Sequence, residues 1–258
     1  MHKLIDTHTH LDELENLDSR LEEARKVGVI GIVAVGSNRQ SNIKTLEIAQ
    51  KYHQFVYPAL GFHPWELGDL DAPEIDNNFR FIEENIASAV AIGEVGLDYD
   101  KRVLKRASKG LQQEVFRQLV NVAKKYSKPV IVHSRYAWKD ALELVKSARV
   151  NKAVFHWFTG FSSVLEDIIN SGYFVSATPA AEYHEEHRRA VKEVPLERLL
   201  LETDCPVTYG RAERYESQPA DVLRSMKAVA RLKGVAEARV AEQTMKNAID
   251  LFSLNVAI

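Results

Sequence analysis

Leu4-Ile5-Asp6-Thr7-His8-Thr9-His10 opens on an apolar pair and ends in a carboxylate and two imidazoles. Read as a β-strand, its period of two puts Asp6, His8 and His10 on one face. His-x-His at a strand end is a compact way to offer one metal ion two nitrogen ligands. A strand that merely finishes in polar surface residues gives the same pattern, so the decision rests on how the other strands end.

Apolar, β-rich runs recur at 30–36, 55–60, 89–95, 129–133, 153–157, 173–177 and 198–202. The segments between them read as helices, at 11–27, 40–52, 73–87, 108–126, 138–147, 162–170 and 182–193, with two more at 219–233 and 236–252. Short strands alternating with helices specify a parallel sheet wound with helices. An open doubly wound sheet alternates in the same way, but it usually carries a glycine-rich phosphate fingerprint after its first strand, and none is present. Eight repeats in 258 residues favour an α/β fold closed as a (β/α)8 barrel, with its functional groups at the C-terminal strand ends.

Composition agrees. The chain is 45% hydrophobic, enough for one sizeable core, and its formal net charge of −2 gives no bulk positive field. Its single cysteine, Cys205, excludes an internal disulfide and suits a reducing compartment. No signal peptide, membrane-length apolar run or linker composition is evident. The expectation is one cytoplasmic domain over residues 1–258, acting as a monomer without a membrane partner.

On the barrel frame, His8 and His10 end the first strand, His63 follows the third, Glu94 ends the fourth, His133 the fifth, His156 the sixth and Asp204 follows the eighth. Within their strands these side chains alternate with apolar ones, so each is able to point into the barrel mouth. Five of nine histidines fall at such positions, where chance would scatter them over helices and loops. A ring of buried imidazoles and carboxylates needs a shared partner, and a divalent cation is the simplest. Four imidazoles (His8, His10, His133 and His156) and two carboxylates exceed the needs of one catalytic zinc and suit two adjacent ions bridged by Glu94. Nitrogen and oxygen ligands fit zinc, manganese, cobalt or iron, and the spacing does not choose among them. Two close ions acidify a bridging water and stabilise an oxyanion, which is hydrolytic chemistry, with Asp204 placed to take the proton.

Asp6-Thr7-His8-Thr9-His10, Gly61-Phe62-His63-Pro64, Gly93-Glu94-Val95-Gly96-Leu97-Asp98-Tyr99, Pro129-Val130-Ile131-Val132-His133-Ser134 and Glu202-Thr203-Asp204-Cys205-Pro206 together resemble the TatD family of metal-dependent deoxyribonucleases. The segment from Asn247 to Phe252 resembles the family's terminal Asn-x-x-x-Leu-Phe, so the likeness spans nearly the whole chain. The resemblance implies an amidohydrolase-like TIM barrel that cuts DNA phosphodiesters, typically from a single-stranded 3′ end, as a 3′–5′ exonuclease using a metal-bridging hydroxide. It implies two divalent ions (zinc, magnesium or manganese). One would be held by His8, His10, Glu94 and Asp204, the other by Glu94, His133 and His156. His63 would sit at the substrate phosphate. Trp65 departs from a second histidine common in the family and is suited to stack on a base. Glu216-Ser217-Gln218-Pro219 replaces a usual Asn-Glu-Pro, and Cys205 stands where a smaller residue is common.

Basic residues gather after the fourth strand at Lys101, Arg102, Lys105, Arg106 and Lys109, with Arg135 after His133 and Arg211 and Arg214 after the eighth strand. Such residues hold phosphates, although charge runs are as often plain solvated surface. The substrate contacts expected are His63, Trp65, Arg135 and Arg102. Asp6, Glu202 and Ser176 are expected behind the ligands, orienting them. Trp157, Phe158 and Phe161 either wall the substrate groove or pack in the core. His184 and His187 read as a solvated helix face, and Cys205 as a small buried thiol. Two other functions fit the same residues: hydrolysis of a small amide, ester or lactone, and a non-catalytic metal- or nucleic-acid-binding barrel.

Overall fold

The computed structural model describes residues 2–256; Met1, Ala257 and Ile258, the ends of the expected domain, lie outside them. Eight parallel strands follow one another in chain order: β1 (Leu4–Thr9), β2 (Val29–Val35), β3 (Val56–Phe62), β4 (Ala91–Asp98), β5 (Val130–Arg135), β6 (Ala153–Phe155), β7 (Phe174–Ala177) and β8 (Leu199–Leu201). The helices are α1 (Leu17–Lys26), α2 (Arg39–Lys51), α3 (Ala72–Asn85), α4 (Lys101–Leu104), α5 (Lys109–Lys125), α6 (Trp138–Ser147), α7 (Ser162–Asn170), α8 (Glu185–Glu193), α9 (Val222–Lys233) and α10 (Glu237–Phe252). A small antiparallel hairpin, β9 (Thr208–Tyr209) with β10 (Tyr215–Glu216), follows β8. The expected barrel is present.

The strand period of two divides the apolar residues into two cores. Ile5, Val33, Val35, Ala59, Ala91, Ile131, Val154 and Leu200 form one cluster with Ala248, Leu251 and Phe252 at the end of α10. Their strand neighbours Leu4, Ile32, Ala34, Leu60, Ile92, Val130, Val132, Leu199 and Leu201 form the other, with the helices. The helices present stripes at the matching period: α5 buries Val115, Phe116, Leu119, Val120 and Ala123 and is capped by Ser108, which accepts from the Leu111 N–H at 3.3 Å.

The seam between β1 and β8 has a single ladder bridge, Thr9 to Cys205. Side chains take over the rest of the stitching. The Thr7 hydroxyl donates to Leu201 O at 3.0 Å, and Asp6 accepts from both the N–H (2.9 Å) and the hydroxyl (2.6 Å) of Thr203. The backbone adds Asp204 N–H to His8 O and His10 N–H to Cys205 O, both at 2.9 Å. Asp6 therefore closes the barrel and holds the turn that carries Asp204.

The segment expected as one helix over 11–27 is divided. A 3-10 turn at Leu11–Glu13 precedes α1, and Asn16, with φ 53, breaks the run. Asparagine tolerates this left-handed conformation better than most residues, so the amphipathic leucines continue across a break that periodicity does not register.

Candidate metal centre

His133 and His156 continue the inward parity of Ile131 and Val154, and His63 continues that of Ala59. Glu94 does not follow from parity. Ala91 faces the inner cluster, yet Ile92, Val95 and Leu97 all join the outer one. The β4–β5 register slips between Ile92 and Val95, and that irregularity turns Glu94 inward. Gly61 on β3 makes room for it, because a Cβ there would lie 2.3 Å from the Glu94 nitrogen.

The carboxylate of Glu94 divides the imidazoles between its two oxygens. Oε2 lies 3.4 Å from both His8 Nε2 and His10 Nε2. Oε1 lies 2.8 Å from His133 Nδ1, 2.7 Å from His156 Nε2 and 3.5 Å from His63 Nε2. Asp204 Oδ1 approaches His8 Nε2 at 3.3 Å and His10 Nε2 at 3.5 Å. Ligand atoms cluster as His8, His10 and Asp204, as His63, Glu94 and His133, and as His8, His156 and Glu202.

Burial opposes charge on both carboxylates, but the imidazoles prevail. Their field holds Glu94 well below the usual carboxylate range and lowers Asp204 as well. His63 goes the other way, since burial pulls it down to about 4 and leaves it neutral. His8 is fully buried, and neither of its ring nitrogens makes a hydrogen bond. Buried polar atoms normally find partners. A divalent cation between His8, His10, Asp204 and Glu94 would satisfy the orphaned nitrogen and the paired carboxylates together, so the donor set fits such an ion.

Around these groups a further carboxylate, Asp98, gathers several side chains. It accepts from His133 Nε2 at 3.0 Å, Trp65 Nε1 at 2.6 Å, Arg135 Nε at 3.1 Å and the Asp100 N–H at 2.8 Å. Although burial disfavours its charge, these donors hold it far below the usual range. Glu202 and Ser176 meet at the Trp157 N–H, which donates to Glu202 Oε1 at 2.9 Å and to Ser176 Oγ at 3.1 Å. Trp157 has φ 40, a region a bulky residue occupies only when its surroundings hold it there. The two acceptors thus fix the turn that follows His156, and Glu202 Oε1 also lies 3.5 Å from His156 Nδ1. The ligand cluster opens into a cavity of about 1190 Å³ lined by His10, His63, Trp65, Glu94, His133 and Arg135 among others.

A family profile described as TatD related DNase matches residues 5–253. The chain belongs to the TatD family. It is 33% identical over 262 residues to a human protein named deoxyribonuclease TATDN3, covering 96% of this chain and 94% of that one. It is also 33% identical to a Bacillus subtilis protein named metal-dependent hydrolase YabD, covering 98% of this chain and all of that one. The solved structure of YJJV, a TatD homologue from Escherichia coli, superposes with a TM-score of 0.86 at 26% identity and covers 97% of this chain and 98% of that one.

In this TatD-family chain the expected ligands His8, His10, Glu94, His133, His156 and Asp204 come together, with His63 beside Glu94 and His133. Trp65 and Arg135 line the cavity, the guanidinium 5.1 Å from the ring centre. Arg102 does not line it. It is exposed and pairs with Asp100 at 2.9 Å. Asp98 was not expected, although it lies two and four residues beyond Gly96 and Glu94 in a motif already conspicuous; ending the strand at 95 hid it. His187 is a correction. It is buried, with Nδ1 donating to Phe158 O at 3.0 Å and Nε2 accepting from the Thr178 N–H at 3.1 Å. The surrounding charges belong to the outer face of α8 and say nothing of its inner one. His184 caps that helix. Cys205 is buried as expected, and burial raises its thiol pKa well above the ordinary value. Among the described residues no helix is long and apolar enough to cross a membrane.

Proposed function

We propose that this chain is a two-metal deoxyribonuclease that removes nucleotides from the 3′ end of single-stranded DNA. The observation that carries the reading is Glu94, whose two oxygens face separate imidazole groups, as a bridge between two ions requires. In this reading His8, His10, Glu94 and Asp204 would hold one ion, and Glu94, His133 and His156 the other. Such ions would supply Lewis-acid stabilisation of charge building on the phosphate and would lower the pKa of a bound water.

The chain's own residues do the remainder. Asp204, ionised at the cavity wall, accepts the proton of the attacking water. His63, neutral and lining the cavity, accepts from the Trp65 N–H on Nδ1 at 3.2 Å and so donates from Nε2 to a phosphate oxygen. Trp65 offers a ring face to a base, and Arg135, anchored by Asp98, directs its remaining N–H groups to phosphate. Arg102 meets the strand farther out, where its contribution weakens with salt. Asp6, Glu202 and Ser176 hold the turns that carry the ligands. The domain spans residues 1–258 and works as a cytoplasmic monomer.

The test is release of nucleotides from 3′-labelled single-stranded DNA, with a 5′-labelled strand for polarity. Metal-stripped protein, protein restored with zinc, magnesium or manganese, and Asp204→Asn are compared. Asparagine tolerates the φ of 52 at this position, so the change removes charge and spares the turn. Metal-dependent release from the 3′ end, abolished in Asp204→Asn, is expected. No release from protein shown to bind two ions would transfer the chemistry to a small ester, amide or lactone.

A further inference from the structure

Single exposed aromatic side chains are ordinary, but a group of them in one place is not, and the cavity mouth holds three of the four exposed large aromatic side chains among the described residues. Phe161 is 68% exposed, Tyr136 61% and Trp65 43%. Trp65 is explained by its bond to Asp98. Tyr136 has no role so far, and of the residues expected either to wall the groove or to pack in the core, Phe158 is core while Phe161 stands exposed at the cavity wall.

They are joined through Trp138. Its ring centre lies 5.9 Å from that of Tyr136 and 5.5 Å from that of Phe161, both edge to face. All three rings line the same cavity as the metal-ligand cluster. The fold keeps them there. Tyr136 leaves β5 with φ 56, outside the comfortable range for an aromatic residue. Phe161 is held from both sides by Arg189, which donates to Gly160 O and, at 2.5 Å, to Ser162 Oγ. Gly160 must lack a side chain, because a Cβ would fall 2.5 Å from the Phe158 ring and 2.6 Å from that of Trp138. Trp138 therefore packs under the loop while Phe161 stays in solvent above it.

The cation beside Phe161 is already committed. Arg189 lies 3.5 Å from Glu193, which also accepts from Ser162 Oγ at 3.0 Å. The group is thus an apolar surface beside a polyanion's reaction site, suited to a flat uncharged ring and not to a phosphate. Aromatic platforms of this kind bind unpaired bases with little regard to sequence, because every base has a π face.

We propose that Tyr136, Trp138 and Phe161 form a stacking shelf for an unpaired nucleobase of the strand being cut, and that the shelf makes the enzyme select single-stranded over fully paired ends. The proposal rests on the nuclease reading above. Its occupant is fixed by continuity: whatever lies on the shelf is joined to the phosphate at the metal cluster. In a blunt duplex end that base is paired and stacked on its neighbour, so it reaches the shelf only by fraying.

The test measures binding of a fluorescent, 3′-phosphorothioate oligothymidylate and an abasic strand of equal length to the metal-loaded protein. Cleavage of unmodified single-stranded and blunt duplex DNA is followed in parallel. Wild type is expected to bind the thymidylate about tenfold more tightly than the abasic strand. In Phe161→Ala, and separately in Tyr136→Ala, that ratio should fall severalfold, with Trp65 keeping the remainder, and the preference for single strands should shrink with it. Both side chains are exposed, so neither change opens a core cavity. Equal binding of the two strands by wild type would overturn the shelf, as would variants that keep the full ratio, even if DNA is still cut. Wild type that binds neither strand and cuts no DNA with any metal would overturn the nuclease reading and the shelf with it.

Discussion

Asp98 touches the ring of His133, the indole of Trp65 and the guanidinium of Arg135, and every group it meets is a donor. An asparagine there would keep the shape but turn one N–H towards those donors. Asp98→Asn is expected to lower metal affinity or activity about 10- to 100-fold, as loss of such outer partners usually does; metal titration by calorimetry reads it directly. His187 gives a prediction about acid. Phe158 O accepts only and the Thr178 N–H donates only, so the ring has room for one proton, on Nδ1. Burial accordingly drives its pKa down to about 4. The unfolded chain protonates this histidine near its ordinary value, so the stability it supports is intact above about pH 6.5. It is lost as pH falls towards 4, by up to about 3 kcal/mol, and not further below. Urea midpoints at pH 7.5 and 5 should differ less in His187→Gln than in wild type.

Among the secondary-structure elements, the end of β3 depends on α2. Asn42 donates from Nδ2 to Gly61 O at 2.8 Å and accepts from the Gly61 N–H at 3.0 Å, while Gly36 leaves space for its side chain. The His63 N–H, two residues on, donates to Ser37 O at 2.8 Å. Asn42→Leu would leave two buried backbone groups unpaired, at about 1–3 kcal/mol each. The expected result is a lower urea midpoint together with reduced turnover, since His63 is carried by the same turn; an unchanged midpoint would remove this role. The alternation of strands and helices was visible in the sequence because it follows from local periodicity. The breaks within elements were not, since the slip in β4 that aims Glu94 and the left-handed Asn16 ahead of α1 both interrupt a hydrophobic pattern without changing its composition.

For the molecule as a whole, the candidate ligands lie on β1, β4 and β5 or just beyond β1, β6 and β8, so bound ions would tie β1 and β8 across the barrel to β4, β5 and β6. Ions that bind the fold alone stabilise it by about 2.7 kcal/mol at a hundred times the dissociation constant. Chelation should therefore lower the melting temperature and re-addition of metal restore it, in wild type more than in Asp204→Asn. A melting temperature indifferent to metal would count against the centre. The sequence by itself determined the barrel and named the candidate ligands, because a strand of period two followed by a helix of period 3.6, eight times over, leaves few other architectures, and its polar exceptions stand out against the apolar strands. Only the tertiary structure decided which oxygen of Glu94 faces which imidazole, that Asp98 binds Trp65 and Arg135, that His187 is core, and that Phe161 is held out over Trp138. Those outcomes depend on register and on partners tens of residues away in the chain, and local periodicity carries no record of either.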